Sequence, residues 1–234
     1  MLDNAFDALK NYDWGTDRAP LAPITDAVAA AHGNADARKD LESRLLAALQ
    51  SDISRDAKDY VCRMLTIVGT AAAAPTLGAL LADENHSHMA RYALERNAAP
   101  EAAQALREAV PKLLGKLKIG VIGSIGSRGD ESAVAALGGL LNDGDAAVAR
   151  AAAKALADIG NVQAAKVLHA AQPSSTEIQQ SVIDARLACA ESLLADKKTA
   201  EALAIYQSLA GDNQPRLVRL AATRGKLACA AVNA

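Results

Sequence analysis

Aromatic residues are scarce in this sequence: one Trp, one Phe and four Tyr make up only 3% of its 234 residues. Large rings therefore cannot fill the interior, and the β-branched residues that strands prefer are also sparse. Alanine and leucine are common instead, and both favour helices. The composition predicts an all-α protein held together by many small apolar contacts, and its length fits one large domain or two small ones.

An excess of positive charge is also missing. The chain has 25 Lys and Arg against 27 Asp and Glu, which gives a formal net charge of −2. Proteins that bind the phosphate backbone need a basic excess, so nucleic acid is not an expected partner. We interpret the one basic cluster, on the last predicted helix, as a solvated face. It consists of Arg216, Arg219, Arg224 and Lys226.

Cysteines and long apolar runs are few as well. Cys62, Cys189 and Cys229 are an odd number, widely spaced, and lie in apolar helical runs where cysteine acts as a small hydrophobe. No run reaches the roughly 18 apolar residues of a membrane helix, and the start lacks the order of a signal peptide. We expect no membrane partner. A cytoplasmic location is expected if the chain is native and complete, and the location stays open if it is a fragment of an exported protein.

Four stretches of the sequence follow one pattern. Each closes one helix with apolar residues, passes a small or polar break, and opens a second helix with an Ala-rich turn. The stretches cover residues 64–84, 93–110, 122–144 and 155–171. The breaks fall at Gly69, near Asn97, at Gly126 and at Gly160. We predict that the three glycines adopt the left-handed conformation that commonly ends helices.

The same stretches contain helix-start signals. Asp145 suits the N-cap position and Pro100 suits the first helical residue. A single helix pair cannot bury its apolar stripe, so several pairs must stack. The sequence therefore predicts an all-α fold, an α-solenoid of stacked antiparallel helix pairs.

The segment DAAVARAAAKALADIGNVQAAKVL, residues 145–168, resembles the bacterial HEAT repeat found in phycobilisome lyases. The matching positions are Asp145, Val148, Arg150, Ala152, Ala153, Ala155, Leu156, Ile159 and Gly160. The strings VCRMLTIVGTAA, SHMARYALE and KIGVIGSIGSRGD resemble a subgroup of large bacterial HEAT proteins of unknown function. Asp59 departs from the pattern, since it stands where Arg is expected. The resemblance implies a right-handed HEAT-type solenoid and says almost nothing about activity.

We predict one continuous solenoid with three segments. Residues 1–50 are expected to form capping helices, with Tyr12 and Trp14 packed in a connecting turn. Residues 51–171 carry the HEAT-like repeats, and residues 172–234 resemble tetratricopeptide-type helical pairs.

Two motifs suggest ligand chemistry, and both have a simpler interpretation. His86 and His88 are two residues apart, whereas zinc pairs on helices need a spacing of three or four. We interpret them as part of a polar loop that leads into a helix, with Met89 in the core. The glycines of residues 118–130 lack the pattern of a phosphate-binding loop and predict a flat helix face for close packing. No metal or cofactor is predicted.

Polar residues at equivalent repeat positions are the candidate partner-binding set. Two interpretations stay open. They can pair with acids of the neighbouring repeat, such as Asp83 and Asp143, in an internal ladder. They can instead line the concave groove and bind an acidic partner. The set comprises Arg63, Arg91, Glu95, Arg107, Arg128 and Arg150.

The sequence favours a non-catalytic scaffold that binds a protein partner on the concave face formed by the second helix of each repeat. One alternative is an enzyme or cofactor carrier of the HEAT-type lyase class, which needs a closed apolar pocket with a perturbed ionisable group. Another is an accessory module of a larger multidomain protein. The partner's identity and the oligomeric state stay open.

Overall fold

The computed structural model of the chain describes residues 1–173 and 175–232. These residues form fourteen α-helices with short 3-10 turns and contain no strand. The predicted fold class, an α-solenoid of helix pairs, is confirmed. The helices are α1 Leu2–Lys10, α2 Ala22–Ala30, α3 Ala35–Leu49, α4 Arg55–Val68, α5 Ala74–Ala79, α6 Ser87–Arg96, α7 Pro100–Ala109, α8 Gly115–Ser127, α9 Val134–Gly139, α10 Ala146–Ile159, α11 Val162–Ala170, α12 Thr176–Ala195, α13 Thr199–Leu209 and α14 Arg216–Val232.

The chain divides into two compact units, Met1–Ser124 and Ile125–Ala234. In the first unit, α4 packs on α3 and α6, while α5 packs on α7. In the second unit, α10 packs on α12 and α9 packs on α11, and then α12, α13 and α14 pack in succession. First helices of consecutive pairs thus stack on one another, and second helices do the same. The further division at residues 50 and 171 stays a prediction.

Side-chain caps begin many of the helices. At each of these starts, a side-chain oxygen accepts a hydrogen bond from a backbone N–H two or three residues later. This contact satisfies a donor that the first turn of a helix leaves unpaired. The predicted starts at Asp145 and Pro100 are confirmed. The capping residues are Asn34, Ser54, Asp145, Asn161 and Ser175.

Only one of the three predicted left-handed glycines has that conformation. Gly160 ends α10 with φ +60°, as predicted. Gly69 has φ −61°, so that prediction was wrong; there the missing side chain matters because a Cβ would lie 2.4 Å from the Leu65 carbonyl oxygen. Gly126 lies inside α8, and the left-handed residue is Gly129 with φ +63°. Within the helix, the bare face of Gly126 leaves room for α10, since a Cβ there would lie 2.8 Å from the Ala155 Cα atom.

The interior is filled by leucine, isoleucine and alanine, as the composition predicts. Met89, predicted to be a core residue, is only half-buried, and the adjacent Ala90 is fully buried instead. All three cysteines are free and buried, in agreement with their interpretation as small hydrophobes. Fully buried large side chains include Leu45, Leu65, Leu94, Ile122 and Leu137. No helix in the described part of the chain is both long and apolar enough to cross a membrane.

The two aromatic residues expected to pack near the first helices behave differently. The Tyr12 ring lies 6.3 Å from the Tyr60 ring, centroid to centroid. Tyr60 also donates a hydrogen bond to the Leu21 carbonyl at 3.2 Å, and burial raises its pKa. Trp14 is 87% exposed, so its predicted packing was wrong. The turn that carries Trp14 is held by polar contacts, such as the 2.7 Å bond from the Thr16 hydroxyl to the Asp13 carbonyl, which leave the indole outside.

Candidate functional site: the groove between α11 and α13

The six polar residues predicted from the repeat lie in both units and on different helices. Arg107 lies on a second helix, α7, and the other five lie on or directly after first helices. This placement differs from the predicted surface, which was formed by second helices. The five are Arg63 on α4, Arg91 and Glu95 on α6, Arg128 after α8, and Arg150 on α10.

Two of the six, Arg91 and Glu95, meet at Ser124 inside the first unit. Arg91 donates to the Gly120 carbonyl at 3.1 Å and to the Ser124 hydroxyl at 3.4 Å, and that hydroxyl donates to Glu95 at 2.6 Å. Burial lowers the pKa of Arg91, and the nearby Glu95 opposes this effect. A Cβ on Gly120 would lie 2.7 Å from the Arg91 guanidinium carbon, so the glycine makes room for it. These hydrogen bonds all join residues within the first unit, so they hold the protein itself together.

Two other members of the set lie at the surface. Arg63 is exposed on α4, and Arg150 forms a half-exposed ion pair with Glu177 of α12. Asp83, one of the predicted ladder acids, is bonded instead by His86, whose Nδ1 lies 3.0 Å from the carboxylate. This hydrogen bond lowers the pKa of Asp83. Whether any of the six residues contacts a partner stays a prediction.

The histidine pair at the start of α6 has two separate environments. His86 occupies the N-cap position without a side-chain capping bond and faces Asp83, whereas His88 is exposed on α6 with its Nδ1 3.4 Å from Arg91 Nη2. Within residues 1–173 and 175–232, no three His, Cys, Asp or Glu side chains are arranged to hold a metal ion.

A polar network that the sequence did not predict surrounds the turn after α4. The buried Glu42 carboxylate accepts from the Thr70 backbone N–H at 2.6 Å and from its hydroxyl at 2.8 Å. Arg38 donates to the two carbonyls that precede Thr70, at 2.8 Å each. Asn97, at the end of α6, donates to the Thr70 carbonyl at 2.7 Å. Neighbouring repeats are thus joined through their turns, and this network is structural.

The best candidate site is a surface groove of about 240 Å³ in the second unit, between α11 and α13. Each helix contributes four residues with the spacing i, i+3, i+4 and i+7, which places them on one helix face. Apolar side chains form its floor, and polar side chains stand at its rim. The floor is Val162, Ala165, Leu193, Ala204 and Ile205, and the rim is Lys166, His169, Glu201 and Ser208.

Arg186 of α12 joins the two helices at one end of this groove. Its Nη2 lies 2.9 Å from His169 Nδ1 and donates to the Ser208 hydroxyl at 2.7 Å. The Nε of Arg186 is buried and has no hydrogen-bond partner among the residues that the structure describes. Burial lowers the pKa of this guanidinium.

The hydrogen-bond roles in this cluster follow from the guanidinium, which can only donate. His169 Nδ1 must therefore accept from Arg186, which leaves the imidazole proton on Nε2. The Ser208 hydroxyl accepts from Arg186 and donates its own proton to the Ile205 carbonyl at 2.6 Å. The groups left over for a ligand are N–H donors, so this end of the groove suits a hydrogen-bond acceptor.

None of the groove residues was predicted from the sequence to bind a partner. The sequence did contain helical spacing that places these residues on one face. Lys166 and His169 are three residues apart on α11, and Glu201 and Ser208 are seven apart on α13. That spacing shows which residues share a face of one helix. It does not show that Arg186 joins the two faces.

Comparison with known protein families matches one part of the chain. Residues 115–185, which run from α8 into α12, match the family model of HEAT repeats. No curated protein that was compared matches the chain.

Several solved structures are similar at low identity. An engineered protein is 18% identical, covers 97% of this chain and 68% of its own, and has a TM-score of 0.43. Human deoxyhypusine hydroxylase in complex with glycerol is 17% identical over 98% of this chain and 96% of its own, with a TM-score of 0.40. A designed armadillo repeat protein is 15% identical over 98% of this chain and 100% of its own, with a TM-score of 0.31. At these TM-scores none of them indicates the function.

Proposed function

We propose that this chain is a non-catalytic scaffold for protein–protein interactions and that a partner binds in the groove between α11 and α13. The observation that carries the proposal is that four residues on one face of α11 and four on one face of α13 line a single open groove. Both helices are second helices of their pairs. Stacked helical repeats commonly present such surfaces to protein partners. The HEAT-repeat match over residues 115–185 includes α11 and supports the same class of function.

The lining suits a protein segment. An apolar floor within a polar rim is the usual anatomy of a protein interface. Ala165 and Ala204 are small, so a partner's side chains can reach the floor between the two helices. The volume, about 240 Å³, is below the roughly 300–1,000 Å³ typical of small-molecule pockets. Exposed rim residues show that the groove is open, whereas the lyase-type alternative predicts a closed pocket.

The residues predicted from the repeat are a second proposed contact set. Arg63 and Arg150 are exposed on first helices, where a large partner can reach them. Arg91 and Glu95 hold the first unit together internally, so we give them a structural role first. The proposal is the same if the chain is one module of a larger protein, because α11, α12 and α13 build the groove by themselves.

Site-specific photo-crosslinking in the producing cells tests the proposal. A benzoylphenylalanine replaces Ala204, which is exposed in the groove, and a matched control carries it at Gln180, exposed on α12 outside the lining. We expect one protein to crosslink at position 204 and not at position 180. Equal crosslinking at both positions, or none at position 204, contradicts the proposal.

A further inference from the structure

A positive charge that is poorly compensated, Arg186, contacts two residues at one end of the groove. Among the residues that the structure describes, no carboxylate pairs with Arg186, although its guanidinium is half-buried. Its Nη2 contacts are to a neutral imidazole nitrogen and a hydroxyl, at 2.9 and 2.7 Å. Buried charges are normally paired with an opposite charge, because removing them from water is unfavourable. A ligand that supplies a negative charge would complete this site.

The two ends of the groove differ in charge. Glu201 lies seven residues before Ser208 on α13, which is about 10 Å along a helix axis. His169 and Ser208, with Arg186 bonded to both, therefore lie at one end and the Glu201 carboxylate near the other, with the apolar floor between them. A bound segment that places its own carboxylate at the Arg186 end avoids repulsion by Glu201.

We propose that Arg186 binds a carboxylate of the protein segment that occupies the groove, with apolar side chains of that segment on Val162, Ala165 and Ile205. This inference rests on the proposed function. Both Nη2 protons of Arg186 are already donated to His169 and Ser208, so the carboxylate accepts from the Nη1 N–H groups of the same guanidinium. The carboxylate belongs either to an acidic side chain or to the C-terminus of the partner.

A carboxylate fits the site better than a phosphate. Phosphate groups carry close to two charges at neutral pH and are usually bound by clusters of arginines. A single guanidinium, that of Arg186, is bonded to groove residues, with Lys166 on the rim and the Glu201 carboxylate at the other end. A single negative charge next to apolar groups is the better complement.

The test begins with selection of displayed random peptides on the full chain. The strongest binder is synthesised with a fluorescent label, together with a version whose acids are changed to amides and a version with an amidated C-terminus. Their dissociation constants are measured on wild type, on Arg186→Gln and on the control Arg216→Gln, an exposed arginine on α14. Amidation of the side chains or of the C-terminus identifies which carboxylate binds.

We expect the selected peptides to combine apolar residues with a carboxylate, and we expect neutralisation to weaken binding to wild type about 10- to 100-fold, as for charge-assisted hydrogen bonds. Arg186→Gln should show the same loss and no longer distinguish acid from amide, while Arg216→Gln behaves as wild type. The acid-to-amide comparison on wild type needs no variant, so it decides the question even if Arg186→Gln fails to fold.

The results that would contradict the carboxylate inference differ from those that would contradict the proposed function. Selected peptides without a carboxylate, equal binding of acid and amide forms, or stronger binding of a phosphorylated version overturn the inference. If position 204 still crosslinks to a partner in those cases, the proposed function stands and only the carboxylate is wrong. Failure to select any peptide, together with no crosslink at position 204, overturns both.

Discussion

At the scale of single residues, the glycines of α8 show how one missing side chain decides packing. Gly126 approaches α10 so closely that a Cβ would lie 2.8 Å from the Ala155 Cα atom. Gly123, one turn earlier, has no atom within 4 Å of the same position. Two glycines in one helix therefore have opposite roles, one required by a neighbour and one not.

We predict that Gly126→Ala lowers the free energy of unfolding and that Gly123→Ala raises it. Overpacking against a backbone atom costs about 1–3 kcal/mol, which outweighs the gain from alanine's higher helix propensity. At Gly123 only that gain applies, about 0.5–1 kcal/mol. Denaturant unfolding of both variants checks the prediction, and a stabilised Gly126→Ala would show that α8 and α10 pack less closely than described.

The buried thiols give a residue-scale pH dependence. Burial raises the pKa of Cys62 and Cys189 from 9.0 to about 12. The unfolded chain therefore releases these protons above about pH 9, while the folded chain keeps them until about pH 12. The thiols favour the folded state fully at lower pH, and this contribution is lost as the pH rises from 9 to 12.

We predict that stability falls more steeply above pH 9 in the wild type than in a Cys62→Ala, Cys189→Ala double variant. Each thiol contributes a slope of up to about 1.4 kcal/mol per pH unit. Guanidinium unfolding between pH 7 and 10.5 measures both slopes, and other titrating groups cancel in the comparison. Identical slopes would show that the thiols are accessible to solvent.

At the scale of elements, the turn after α4 is held by hydrogen bonds from the side chains of neighbouring repeats in the first unit. Asn97 is buried, donates to the Thr70 carbonyl at 2.7 Å and accepts from the Ala99 N–H at 2.9 Å. It therefore joins the turn of one repeat to the turn of the next. Helix propensity cannot supply this contact, because it connects two turns 27 residues apart.

We predict that Asn97→Ala lowers the free energy of unfolding by about 1–3 kcal/mol, because buried backbone groups lose their partners. The exposed Asn85 provides a matched control, and Asn85→Ala should change stability by less than about 0.5 kcal/mol. Chemical unfolding at neutral pH compares the two. A similar effect of both substitutions would mean that water replaces the Asn97 contacts.

At the scale of the whole molecule, helices within each unit pack on neighbours or next neighbours along the chain. In such a stack, stability is close to a sum of repeat terms and nearest-neighbour terms. A local defect should therefore weaken adjacent helices first.

We predict that Gly126→Ala increases amide hydrogen exchange in α10 more than in α13 and α14, all compared within the second unit. Hydrogen-exchange mass spectrometry at neutral pH measures the gradient, with Gly123→Ala as the control. A uniform increase across α10 to α14 would instead indicate that the unit opens as one cooperative block.

The sequence by itself determined the all-α class, the stacked pairs, the helix starts at Asp145 and Pro100, and the left-handed end at Gly160. These features depend on local physics: capping, the missing proline N–H, the freedom of glycine and the periodicity of apolar residues. The exposure of Trp14 follows from local polar contacts of its turn, such as the bond from the Thr16 hydroxyl to the Asp13 carbonyl. The close approach of α10 to Gly126 was decided by tertiary packing, because it depends on a helix from elsewhere in the chain.

The candidate site was decided by tertiary structure alone. Arg186 meets His169 and Ser208 across 17 and 22 residues of sequence, through the packing of three helices. Helical spacing predicts which side chains share a face, but not which face another helix leaves uncovered. The groove is lined by one face of α11, one face of α13 and Leu193 of α12, and no pattern within one helix shows that these faces meet.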